Sequence, residues 1–104
     1  MANNTSPSEL YKNGILHLNI AKTLAQSEDK ERDFEEIKKH YKEAIKSFKR
    51  LPKTEPKYYE SYFSSLRGYF LLLLEFNESD DIDKFISTLD SHTRDKLIKS
   101  IIEY

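Results

Sequence analysis

The chain is 104 residues long, has no cysteine, and carries a formal net charge of -1 from 17 basic and 18 acidic side chains. That length suits one small domain around a single core. The missing cysteines exclude a disulfide framework, a thiolate metal centre and a cysteine nucleophile, and the balanced charge leaves no whole-chain footprint for nucleic acid.

In chain order, "MANNTSPSEL" has no basic segment followed by an apolar run, so no secretory signal is expected. Residues 1–6 read as a disordered tail. Ser6, Pro7 and Glu9 form a helix start: a capping serine, a proline at the first helical position and a glutamate placed to reach back. The first helix should run to about Gln26, with Tyr11, Ile15, Leu18, Ala21 and Ala25 on its apolar face and Leu16, Ile20 and Leu24 beside them. "SEDKERD" is a polar loop or a fraying turn. Phe34, Ile37, Tyr41, Ala44, Phe48 and Leu51 then alternate by three and four, which places all six on one face of a second helix.

Pro52 stops that helix, and Thr54 is placed to cap the next. The third helix is expected from about Pro56 to Phe76. Tyr59, Tyr62, Phe63, Leu66, Tyr69, Phe70, Leu73 and Leu74 form its stripe, and Leu71 and Leu72 add apolar surface behind. A helix apolar on most sides is covered on most sides, so this one belongs at the centre. Gly68 in its middle costs about 1 kcal/mol relative to alanine, a loss that close approach of a neighbour would offset. After "NESDD", with Ser79 as a candidate cap, a short helix carries Ile82, Phe85, Ile86 and Leu89. A last helix, capped by Ser91 or Thr93, carries Leu97, Ile98, Ile101 and Ile102. No strand pattern occurs. The expectation is a single all-α domain over 1–104, an antiparallel bundle of four to five helices with residues 79–104 packing as short helices on a hairpin core.

"DFEEIKKHYKEAI" resembles the second helix of a tetratricopeptide repeat, through Phe34, Ile37, Tyr41, Ala44 and Ile45; upstream, Leu24 and Ala25 resemble the leucine and small-residue pair of the first helix. Ile37 stands where that family usually has alanine, and a second register through Tyr41, Ala44, Phe48 and Pro56 fits nearly as well. The span from Leu16 to Phe76 is also similar to the microtubule-interacting and trafficking (MIT) domain, a three-helix bundle with a long second helix. Both families bind proteins, the repeat on a concave face and the MIT domain in grooves between helices. The resemblance therefore implies a protein-interaction module.

Catalytic patterns are missing from the sequence. His17, His40 and His92 have no zinc-ligand spacing. His17 borders the apolar face of the first helix, and His40 falls in a lysine-rich surface and reads as solvated. Asp90-Ser91-His92 holds the residue types of a hydrolase triad, but chain neighbours are not a relay, and a helix cap at Ser91 explains them better. Gly14 and Gly68 both lie inside expected helices, so neither builds a phosphate-cradling loop. No cofactor, metal or catalytic residue is expected, and the chain is not read as an enzyme.

Charge is unevenly spread. From Lys38 to Lys57 there are eight basic residues (Lys38, Lys39, Lys42, Lys46, Lys49, Arg50, Lys53, Lys57) against Glu43 and Glu55, while Glu75 to Asp83 holds five acids and no base. Lys38, Lys42, Lys46, Lys49 and Lys53 recur by four and three on the face opposite Phe34 to Leu51. A solvated outer face explains such a strip, and so does a basic track for an acidic peptide, a nucleic-acid backbone or anionic lipid. Lys42, Lys46, Lys49, Tyr58 and Tyr62 are the candidate partner-binding residues. The expected function is non-catalytic docking of a peptide or partner helix in a groove between helices. The alternatives are a nucleic-acid or anionic-membrane binder acting through residues 38–57, and a structural subunit of an oligomer that covers apolar surface from Ile98 to Tyr104. A cytoplasmic or nuclear location fits the missing signal and the short "YFLLLL" run, well under the roughly 20 residues a bilayer needs.

Overall fold

The computed structural model describes residues 6–102, and among them it contains α-helices and no strand. The helices are α1 (Pro7–Ala25), α2 (Phe34–Lys49), α3 (Pro56–Glu75), α4 (Ser79–Ser87) and α5 (Ser91–Ile102). The expected tail up to Thr5 and the end of the Ile98–Tyr104 segment lie outside the described residues.

Side-chain hydrogen bonds close the starts of α1 and α5, while those of α2, α3 and α4 have none. At α1 the expected box closes: the Glu9 backbone N–H donates to Ser6 Oγ at 3.2 Å and the Ser6 N–H donates to Glu9 Oε1 at 3.3 Å. The other three expected caps are displaced. Glu55, not Thr54, stands before α3. Glu78 stands before α4, and Ser79 is already helical. Before α5 the cap is Asp90 rather than Ser91 or Thr93: its Oδ1 accepts from the Thr93 N–H at 2.7 Å and its Oδ2 from the Thr93 hydroxyl at 3.2 Å. An ionised acceptor makes the stronger cap and also suits the positive end of the helix dipole.

The end of α3 is a left-handed cap. Asn77 takes φ 54°. Its N–H donates to Leu74 O at 3.2 Å, and the Glu78 N–H reaches back to Leu73 O at 3.0 Å. These are the two bonds of a Schellman motif, in which asparagine substitutes for the usual glycine.

Helices α1, α2 and α3 pack as two antiparallel hairpins sharing α2. Along α1 and α2 the contacts run in opposite order: Asn13 Nδ2 donates to Ser47 Oγ at 2.7 Å, and His17 meets His40. Along α2 and α3, Phe34 meets Phe76 in a tilted pair with 4.5 Å between ring centroids, while Lys53 lies over Tyr62. The six residues that the spacing placed on one face of α2 are all buried, and Ile37, Ala44 and Phe48 have no exposure.

Both glycines now have a use. A Cβ on Gly14 would collide with the Phe48 ring, and one on Gly68 would sit 2.5 Å from Tyr41 Cε1 and 2.7 Å from its hydroxyl. The close approach expected at Gly68 is thus made by a side chain. Tyr41 and Phe48, two turns apart on α2, each fill a notch, one on α3 and one on α1.

The central position of α3 is as expected, since it packs on α1, α2, α4 and α5. Its buried face is Ser65, Leu66, Tyr69, Phe70, Leu72 and Leu73, so it is turned slightly from the expected stripe. Leu72 is buried where Leu74 was expected, and Leu74 is exposed. Phe85 of α4 meets Tyr69 edge-on at 5.0 Å and lies 6.1 Å from Phe70. Lys96 of α5 covers Tyr59 and Phe63 at 4.5 and 5.2 Å, and Arg67 Nε donates to Ser100 Oγ at 3.3 Å.

A lysine-rimmed groove between α2, α3 and α4

A groove of about 390 Å³ opens over α3, with α2 as one wall and α4 as the other. Ile45, Leu66, Tyr69, Phe85 and Leu89 give it an apolar floor, and Lys42, Lys46, Lys49 and Lys84 stand at its rim with Tyr62, Asp81 and Thr88. It exists because α4 is short and reaches the bundle mainly through Phe85, leaving the flank of α2 beyond Ile45 uncovered.

The structure divides the lysine strip into three groups. Lys38 leaves it, donating to Asp81 Oδ2 at 2.7 Å in a largely enclosed pair that ties α2 to α4. The bond to Asp81 raises the Lys38 ammonium above the usual lysine range against the opposing effect of burial, and the same bond holds the Asp81 carboxyl below its ordinary range. Lys53 leaves it too: its ammonium turns back on the end of α2, donating to Lys49 O at 2.8 Å and Leu51 O at 2.7 Å, and lies 4.7 Å over the Tyr62 ring. Burial, and then the neighbouring Lys49 charge, lower its proton affinity. Lys42, Lys46 and Lys49 remain. They flank the groove rather than facing away from it, and like Lys84 none has a carboxylate within 4.0 Å among the described residues. Asp81 senses Lys42 and Lys84 through space, but its bond is to Lys38.

Of the five candidate binding residues, the fold brings four together: Lys42, Lys46, Lys49 and Tyr62. The fifth, Tyr58, lies elsewhere, packed on Tyr11 at 5.4 Å with Lys57 near both rings. Both tyrosines are half-buried. The Tyr62 phenol is raised first by burial and then by the negative charge of Asp90. Sequence reasoning missed Phe85, Leu89 and Lys84 as groove residues, because only folding brings α4 beside α2.

His40 is not solvated. Its Nδ1 lies 2.8 Å from His17 Nδ1, the rings stack at 5.0 Å with 27° between planes, and Glu36 Oε2 is 3.6 Å from its other nitrogen. One ring must donate and the other accept, so the pair is a polar clasp between α1 and α2. Asp90 spends its carboxylate on the α5 cap, and hydrogen bonds from the Thr93 backbone and side chain hold it below the ordinary range. Among the described residues no three His, Cys, Asp or Glu side chains gather where they could hold a metal, and no helix is long and apolar enough to cross a membrane. Comparison with protein-family models, curated proteins and solved structures returned no match.

Proposed function

We propose that the chain is a non-catalytic protein-interaction module that docks a peptide or helix of another protein in the groove between α2, α3 and α4. One observation carries this reading: an apolar floor left open between three helices, with a rim of lysines that have no ion-pair partner among the described residues. Open grooves with apolar floors and a few polar groups at the edge are where partners commonly bind. The tetratricopeptide-like or MIT-like reading belongs to the same proposal; it is supported by burial of Phe34, Ile37, Tyr41 and Ala44 on the hairpin. Binding of nucleic acid or anionic lipid through residues 38–57 is less well supported. Lys38 and Lys53 are engaged elsewhere, and a phosphate backbone would leave the apolar floor wet.

The test is selection of binders from a displayed library of random 15-residue peptides, followed by mapping on the amide spectrum of the labelled protein. Docking should shift the amides of Ile45, Leu66, Phe85 and Leu89, and Ile45→Arg should abolish it while leaving the circular dichroism unchanged. Binders that map to another surface, or none at all, would sink the reading.

A further inference from the structure

We infer that the occupant of the groove is an acidic amphipathic helix of a partner protein, with carboxylates on both edges of its apolar stripe. This rests on the docking reading above and adds the chemistry of the partner. Three features lead to it. First, the walls and floor are helices, whose backbone groups are already bonded within each helix. An extended peptide would find no ladder to join and would bury unsatisfied amides, whereas a helix satisfies its own.

Second, cations stand on both walls. Lys42, Lys46 and Lys49 form a row along α2, spaced four and three residues apart, and Lys84 faces them from α4. Seven residues of helix span about 10 Å. An occupying helix matches that row with acids at i, i+3 or i+4, and i+7 along one edge, and needs one acid on the other. Third, the polarity has an end. Asp81, beside Tyr69, is held by Lys38, while the opposite end at Tyr62 and Leu89 lies near Asp90. The acids of the occupant therefore belong between these two carboxylates, opposite Lys42 to Lys49. The apolar floor selects such a helix over a lipid headgroup or a nucleic-acid backbone, which offer charge without side chains to fill it.

The experiment uses three synthetic 18-residue helical peptides that share one leucine stripe. Flanking positions carry glutamate in the pattern above, glutamine at the same sites, or lysine. Affinity is read by fluorescence anisotropy at low and high salt, and the site by amide shifts. The glutamate peptide should bind at least tenfold more tightly than the glutamine one, and salt should narrow the gap. The K42E/K46E variant should lose the glutamate peptide and gain the lysine peptide, since both positions are exposed and contribute nothing to the core. Equal binding of the glutamine and glutamate peptides in the groove would overturn the acidic partner while leaving the docking function standing. No binding of any helix, with capture of anionic vesicles or duplex DNA sensitive to K42E/K46E, would overturn both.

Discussion

Gly14 and Gly68 lie beneath aromatic rings of α2, so here the ordinary propensity argument is outweighed. Alanine in a helix interior normally gains about 1 kcal/mol over glycine. At these sites its methyl would overlap buried rings of Phe48 and Tyr41, and overpacking of that kind costs about 1–3 kcal/mol. Gly14→Ala and Gly68→Ala should each lower the urea midpoint, and Gly14→Ala should do so more, because Phe48 is wholly enclosed. A rise in midpoint for either would mean that the ring has room to move. Asn77 gives the opposite expectation. With φ at 54°, Asn77→Gly should be neutral or stabilising, and Asn77→Ala should cost about 1 kcal/mol.

Acid dependence also belongs to single residues. Asp81 and Asp90 both titrate below their ordinary 3.8 in the folded protein, the first through Lys38 and the second through Thr93. A depressed carboxyl binds its proton more weakly folded than unfolded, so its stabilisation is present above the ordinary value and fades as the pH falls through the folded one. Thermal melts from pH 6 down to pH 2 should therefore show stability falling below about pH 4. Asp81→Asn and Asp90→Asn should each start less stable and lose less. Parallel curves for wild type and variants would show that other groups cause the acid loss.

Among the elements, α4 is the shortest. Nine residues are too few for a helix to persist alone in water, so α4 depends on Phe85 in its aromatic seat and on the Lys38–Asp81 pair. Phe85→Ala should release it: amide exchange over Ser79–Ser87 should accelerate far more than exchange in α1 and α2. Uniform acceleration would mean that α4 is fused to the global unit. This element also marks how far the sequence could be read. The burial of α2 was legible because one helix needs only its own period, and Phe34 to Leu51 keep it. The fate of the lysines on that helix was not, because Lys38 meets a carboxylate 43 positions away and Lys53 turns on a terminus whose shape depends on Pro52. His40 reads as solvated for the same reason, since its partner lies on another helix. The expected caps of α3, α4 and α5 failed in two ways: α3 and α4 start at Glu55 and Glu78 with no side-chain cap bond, and before α5 Asp90, Ser91 and Thr93 compete for one geometric role that Asp90 fills.

At the scale of the molecule, the Cα radius of gyration is 13.8 Å, close to the ~13 Å expected of one compact domain of this length. The last two helices, α4 and α5, are folded against α3. If the groove receives another protein, it has to stand empty in the free chain. Light scattering at tens of micromolar should then return the monomer mass of 12.3 kDa at low and high salt. Twice that mass would turn attention to Leu16 and Ile102, which are 56% and 75% exposed, and to the oligomer alternative in which such surface is covered between copies.

The rings of Tyr41 and Phe48 in their glycine notches bear on how such a protein could change over generations. They key α2 against turning or sliding, and with 3.6 residues per turn they stand a quarter-turn or more round the helix from Lys42, Lys46 and Lys49. If the groove receives a partner, foldability and partner choice rest on neighbouring faces of one rod. Lineages could exchange the rim residues freely to acquire new partners, while the keyed side, in which a glycine and its ring must change together, would stay in place.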